Sequence, residues 1–167
     1  MVLRIVVWVT MLIGGTILGF AIDLRLFKSF LSSSVFHIIT LILGLFLINL
    51  VFRASRNTGR ILAQLGREGN VPRMETNKLV TEDIYACMRH PMHLGLLFFP
   101  LAVALIIGSL SFIIFIAPFE MILMILMIKL FEEPEAIKKF GNDYLIYMKK
   151  VPMFNLRIEC LRKLLKK

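Results

Sequence analysis

The stretch LVTEDIYACMRHPMHLG, Leu79 to Gly95, stands where a polar, basic segment gives way to an apolar run. Arg89, His90 and His93 fall within five positions, with Pro91 between the histidines. Such a cluster at the edge of a hydrocarbon-soluble helix calls for a polar partner, because charges near the bilayer are costly when unpaired. The partner read from the sequence is Phe131-Glu132-Glu133-Pro134, at the far end of the apolar hairpin that follows. The two polar knots are expected to meet and form one site.

Downstream of the stretch, residues 92–107 and 112–130 read as a third and a fourth span, joined by the tight link Gly108-Ser109-Leu110-Ser111. Pro100 and Pro118 predict a kink in each. Upstream, residues 53–91 form a long polar segment. Ile61, Leu62 and Leu65 are helically spaced there, which predicts an interfacial amphipathic helix ending at Gly66. Thr81 before Glu82 and Asp83 reads as the N-cap of a short helix. Residues 5–22 and 35–52 are long enough to cross a bilayer. Arg4 gives the first run a signal-peptide look, but it is long for that and lacks a small-residue cleavage pattern. Gly15 and Gly19 have the GxxxG spacing of close helix packing.

After the second knot, residues 132–150 read as an amphipathic helix. Phe140, Tyr144, Tyr147 and Val151 form its apolar stripe. Residues 155–167 end in LRKLLKK, a basic amphipathic tail suited to an anionic surface.

The 167-residue chain is 58% apolar, with 14 Phe and 10 Met gathered into runs. The fold class is therefore all-α, a multi-pass integral membrane protein of about four spans in one domain, 1–167. Its parts are two N-terminal spans (1–52), a loop (53–91), a hairpin (92–131) and an amphipathic C-terminal segment (132–167). The net charge of +9 flanks apolar spans, so membrane lipids are the expected counter-charge and nucleic acid is not. The loop holds Arg53, Arg56, Arg60, Arg67, Arg73, Lys78 and Arg89, and nine Lys and Arg follow Glu132, whereas the other links hold Arg25 and Lys28. The positive-inside rule then puts both termini and both knots on the cytosolic face. Cys87 and Cys160 have neither CxxC nor metal-ligand spacing. They read as free thiols facing a reducing compartment, and no metal is expected.

Glu132 and Glu133 end an apolar helix, where carboxylates oppose the negative carbonyl end of the dipole. Arg89, Lys129 or a cationic ligand should lie nearby. Pro134 bends the helix and frees a carbonyl. The arrangement suits a zwitterion, or else an ordinary interfacial ion-pair cluster anchoring two helices.

Arg89-His90-Pro91-Met92-His93-Leu94-Gly95, then Glu132-Glu133, then Phe140-Gly141-Asn142-Asp143-Tyr144-Leu145-Ile146-Tyr147, resembles the isoprenylcysteine carboxyl methyltransferase family. More broadly it resembles the integral-membrane methyltransferases that include the phospholipid N-methyltransferases. Leu79-Val80-Thr81, Tyr85 and the ending Lys150-Val151-Pro152 fit the same pattern. The resemblance implies S-adenosylmethionine as cofactor and a lipidic or prenylated acceptor entering from the bilayer. The cofactor contacts it implies are Asn77, Lys78, Leu79, Val80, Tyr85, His90, Pro91, Met92, His93 and Glu132. Arg89, His93 and Glu133 are the implied catalytic residues, and Lys129 the substrate contact. Glu132 or Glu133 would hold the ammonium or sulfonium, His90 or Arg89 the carboxylate, and Leu79, Val80 and Tyr85 the adenine. The leading expectation is carboxyl methylation of an isoprenylcysteine. Phospholipid ethanolamine N-methylation and a non-catalytic membrane scaffold are the alternatives.

Two departures bear on the acceptor. His93 stands where the family usually has tyrosine, and the arginine that precedes the glutamate pair in the isoprenylcysteine enzymes is replaced by Met127-Ile128-Lys129.

Overall fold

The computed structural model describes residues 2–72 and 75–166, with side chains from residue 6 onward. Arg73 of the basic loop, Lys167 of the tail and the side chains of Arg4 and Ile5 lie outside the described residues. Every regular element among them is helical. In chain order these are α1 (Val2–Leu26), α2 (Lys28–Leu31), α3 (Ser34–Leu65), a 3-10 turn (Asp83–Ala86), α4 (Pro91–Leu97), α5 (Phe99–Ile107), α6 (Ala117–Met127), α7 (Glu133–Phe140), α8 (Asn142–Lys150) and α9 (Ile158–Leu165).

Among the described residues, three helical runs are long and apolar enough to cross a membrane: Val6–Leu26, Ser34–Leu65 and Phe112–Phe140. The expected third span, 92–107, falls in a shorter apolar helical run, Pro91–Ile107. It breaks at Phe98, just ahead of Pro100, which takes the first turn of α5.

Two expected boundaries are corrected. The second span and the amphipathic helix before Gly66 are one helix of 32 residues. At 1.5 Å per residue it is about 48 Å long, well beyond a hydrocarbon layer of about 30 Å, so its polar last turns belong in the headgroups or beyond. Residues 132–150 are not one helix. The apolar run continues through Pro134 to Phe140, and the chain then turns at Gly141, whose φ of +60° few other residues tolerate. Two turns of that run are widened to π geometry, Phe112–Ile116 and Ile128–Glu132. Pro118 and Pro134 each follow one by two residues. A proline ring collides with the carbonyl four residues back, and a widened turn relieves the collision without ending the helix.

The chain forms two compact units, Met1–Asn49 with Leu97–Leu126, and Leu50–Leu96 with Met127–Lys167. In the first, Ala104, Phe112 and Ala117 are fully buried, with Leu12, Leu101 and Ile116 against them. The GxxxG pair acts as a packing surface. A Cβ on Gly15 would lie 2.9 Å from Glu120 Oε1, and one on Gly19 would lie 2.7 Å from the Ser109 hydroxyl. Asp23, the start of an apparent polar link, is buried instead. It accepts hydrogen bonds from the Ser109 hydroxyl (2.6 Å), the Ser111 amide (2.9 Å) and the Ser111 hydroxyl (2.5 Å). Those three bonds fasten the end of α1 to the turn between α5 and the following run. Glu120 is also buried, and its Oε2 has no hydrogen-bond partner.

The second unit contains the 3-10 turn, α4, α7, α8 and α9. Its buried residues include Ile84, Met88, Leu94, Tyr144, Tyr147 and Leu164. Thr81 is not a cap: the turn begins after Glu82 without a side-chain cap, and Asp83 takes a left-handed φ of +53°. Such a φ is several-fold enriched in aspartate over other non-glycine residues.

Cys87 and Cys160 are joined as a disulfide, with Cα atoms 5.8 Å apart, which corrects the expectation of two free thiols. The pair is 73 residues apart, and it is folding that brings α9 back onto the 3-10 turn.

Candidate active site

The site is assembled within the second unit. Pro91 starts α4 because a proline at the first helical position gives up an N–H that would be unpaired anyway. That leaves Arg89 and His90 in the chain just ahead of α4 and puts His93 on its first turn. Gly95, one turn on, lies so close to α3 that a Cβ there would sit 2.8 Å from the Ala54 Cβ. Gly95→Ala is expected to lose about 1–3 kcal/mol of stability through this overlap. Thermal unfolding in detergent measures the loss, and an unchanged midpoint would show that α4 does not rest on Ala54.

Arg89 is the tie of this unit. Its Nη2 and Nε donate to Glu133 Oε1 at 2.5 and 3.1 Å, and its Nη1 donates to the carbonyls of Val151 (2.5 Å) and Met148 (3.2 Å). The guanidinium thus joins the carboxylate at the head of α7 to the carbonyl end of α8, where a cation complements the helix dipole. The backbone continues the same tie: the Arg89 amide donates to the Pro152 carbonyl at 2.9 Å and the His90 amide to that of Met153 at 3.2 Å. The two polar knots do meet.

His90 Nε2 lies 3.5 Å from Glu133 Oε1 and 3.5 Å from the Tyr144 hydroxyl. Burial pushes the imidazole down to about 4, helped by the neighbouring His93 and Arg89 and opposed by Glu133 and Glu132. His90 is therefore neutral at pH 7. His93 Nε2 lies 3.6 Å from Glu132 Oε2, and both side chains are partly open, at 20% and 28% exposure. The two imidazoles stand edge to face, 5.4 Å apart.

These groups line a cavity of about 310 Å³, within the range of small-ligand sites. Of the residues named from the sequence, Lys78, Leu79, Val80, Tyr85, Arg89, His90, Pro91, Met92, His93 and Glu132 line it. Asn77 does not. Its side chain closes a reciprocal pair with the Glu68 backbone, at 2.8 and 2.7 Å. Lys129 is exposed on the π turn and is not part of the lining, and Glu133 stands behind it, bonded to Arg89.

Sequence reasoning misses Leu62, Thr76, Ala136, Phe140, Tyr144 and Tyr147 as lining. Phe140, Tyr144 and Tyr147 stand out there only as an apolar stripe, whose period fixes a shared face but not what that face encloses. Tyr147 donates to the Tyr85 carbonyl at 2.5 Å, which anchors α8 to the 3-10 turn. Burial raises the hydroxyls of Tyr85, Tyr144 and Tyr147 above the usual phenol range, so all three stay neutral.

The donor set fits a zwitterionic cofactor carrying an adenine. Leu62, Leu79, Val80 and Phe140 give an apolar wall, Glu132 offers a carboxylate to a cation, and Lys78 offers an ammonium to a carboxylate. No curated protein and no solved structure matches the chain. The family described as phospholipid methyltransferase matches over residues 32–143, more than half of the 167 residues, a range that takes in both knots and the hairpin between them. An apolar, helical chain with a carboxylate–imidazole cavity, matched over that range, belongs to the phospholipid methyltransferase family of membrane methyltransferases.

Proposed function

We propose that this protein transfers a methyl group from S-adenosylmethionine to the amine of a phospholipid headgroup, with both bound at the cavity of the second unit. The observation that carries the reading is the His93–Glu132 pair, an imidazole and a carboxylate 3.6 Å apart and both part of the cavity lining. At neutral pH an amine acceptor arrives protonated and must lose a proton, whereas a carboxylate acceptor is already a nucleophile. A base at this position serves the first chemistry and is idle in the second. The family match supports the same choice.

When bound, S-adenosylmethionine supplies a methyl group made electrophilic by its sulfonium. With His93 Nε2 beside Glu132, Nδ1 is left as the proton acceptor, and Glu132 steadies the imidazolium that forms. Leu79, Val80 and Tyr85 hold the adenine. Lys78, rather than the neutral His90 or the committed Arg89, pairs with the cofactor carboxylate. Arg89 and Glu133 keep the cavity wall in place and take no proton. Alignment of acceptor and methyl supplies the rest of the catalysis. The basic excess on the two site-bearing segments supports a cytosolic active site.

A prenyl-cysteine carboxylate is the second reading, favoured by Phe140 and Tyr144, which fit the isoprenylcysteine-type tail and line the cavity. The deciding experiment is transfer of labelled methyl to phosphatidylethanolamine and, separately, to a farnesyl-cysteine analogue. Base-stable label on the phospholipid is the expected result; base-labile label on the farnesyl compound alone would overturn the amine reading. His93→Asn is expected to slow transfer to the amine about a hundredfold at pH 7. It should leave S-adenosylhomocysteine affinity near wild type, and the deficit should shrink as pH rises and the amine deprotonates. Failure of the wild type to bind S-adenosylhomocysteine would leave the scaffold reading in its place.

A further inference from the structure

We propose that the Cys87–Cys160 disulfide is a reversible redox latch, which holds the segment after α8 against the cavity wall and so permits cofactor binding. The cofactor part of this inference rests on the function proposed above.

The latch stands at one end of a strap. Residues 151–157 leave α8 and run along residues 87–90 before α9 begins. Along that path the Arg89 amide bonds the Pro152 carbonyl, the His90 amide bonds the Met153 carbonyl, and Asn155 Nδ2 donates to the Cys87 carbonyl at 3.3 Å. Arg89 Nη1 reaches the Val151 carbonyl from the other side. The strap therefore fixes the residues that aim His90 and Arg89 at the cavity. Behind it, α9 is held by the disulfide at Cys160, by the buried Leu164, and by Asn57, whose Nδ2 donates to the carbonyls of Lys163 (2.9 Å) and Leu164 (3.2 Å). The disulfide is the covalent member of that set. It joins α9 to the residue three before His90.

Two observations favour a reversible bond over a fixed staple. Cys87 is partly exposed, whereas Cys160 is 5% exposed, so an incoming thiolate has one sulfur-bearing residue to approach. The second is the charge pattern: both site-bearing segments are rich in Lys and Arg, which supports the cytosolic orientation proposed above, and cytosolic disulfides are characteristically transient or redox-sensing. The chemistry is exchange with a dithiol. Its thiolate attacks the Cys87 sulfur and expels Cys160 as a thiolate, which takes a proton. The second thiol of the reagent then closes its own ring and releases Cys87. Two electrons and two protons enter the protein pair, and the dithiol becomes a cyclic disulfide.

The test uses the full chain in detergent, before and after dithiothreitol, with three readouts. Labelling with a maleimide polymer should add nothing before reduction and mark both of the chain's cysteines after it. Amide exchange of peptides covering 87–93 and 151–160 should speed up on reduction, with that of the first unit unchanged. S-adenosylhomocysteine affinity should fall about tenfold and return on reoxidation. Cys160→Ser should match the reduced wild type in exchange and affinity and should ignore dithiothreitol. Labelling of both cysteines without reduction overturns the latch, as does reduction that changes neither exchange nor affinity. Faster exchange with no S-adenosylhomocysteine binding in either state keeps the latch and instead sinks the cofactor reading.

Discussion

Arg89→Ala is expected to lower the stability of the protein by about 3–5 kcal/mol, the range for removing one partner of a buried ion pair. The Arg89 and Glu133 side chains are 9% and 11% exposed, so the orphaned carboxylate would stay in a poorly solvated place. The loss extends beyond the pair, because the carbonyls of Met148 and Val151 lose their donor at the end of α8. Against a total stability of about 5–15 kcal/mol, such a change unfolds a large share of the molecules near physiological temperature. Arg89→Lys should recover only part of the loss, since a single ammonium cannot span a carboxylate and two carbonyls as the planar guanidinium does. The double variant Arg89→Met, Glu133→Leu separates charge from fold. It should unfold later than Arg89→Ala, because no buried charge is left alone. Thermal unfolding in detergent gives the order. A shift below about 1 kcal/mol for Arg89→Ala would mark the pair as an ordinary surface bridge.

The need for such a pairing is legible in the sequence alone. Two acids at the end of an apolar run need a cation, and Arg89 is one of two candidates in the chain; the choice between Arg89 and Lys129 is not legible. Lys129 is nearer in sequence, but as residue i to Glu132 at i+3 across a widened turn it sits exposed. Helix periodicity finds the Phe140, Tyr144 and Tyr147 stripe correctly yet runs it through Gly141, because a stripe of apolar residues continues across a break whenever both helices face the same core. The 32-residue α3 reads as two pieces because polarity changes along it, and polarity reports solvent, not backbone. Asp23 and Glu120 escape a sequence reading for opposite reasons. Asp23 stands beside a polar link and looks solvated, while its partners, Ser109 and Ser111, are more than 80 residues away in sequence. Glu120 is one acid in an apolar run, and its neighbour Gly15 is farther away still along the chain. Contacts of such separation leave no local pattern. The disulfide belongs to the same class: two cysteines with no motif between them become a pair only once the chain has folded.

Acid should weaken this fold through His90. In the unfolded chain the imidazole titrates near 6.5, and in the folded protein burial lowers that to about 4. Above pH 6.5 both states are neutral and His90 contributes nothing to the pH dependence. Between 6.5 and 4 the unfolded chain binds the proton while the folded protein does not, so stability falls as pH falls through this window. At its lower end the loss from this one group approaches about 3 kcal/mol, because each pH unit crossed inside the window removes roughly 1.4 kcal/mol. The charged and titratable groups facing His90 are Arg89, His93, Glu132, Glu133 and Tyr144, so the effect is read by difference. His90→Gln keeps a polar side chain with no proton to gain. Unfolding of wild type and variant at pH 7 and pH 4.5 should show a loss in the wild type that is largely missing in the variant, whereas equal losses in both would assign the acid sensitivity to the carboxylates. The same experiment bears on the cofactor. A neutral His90 can give a ligand carboxylate a hydrogen bond but no counter-charge. If a carboxylate nevertheless sits against it, the imidazole is pulled back toward its ordinary value, and S-adenosylhomocysteine binding at pH 5.5 takes up a proton that His90→Gln does not. Binding heats in two buffers of different ionisation enthalpy measure that proton, and its absence in the wild type assigns the carboxylate to Lys78.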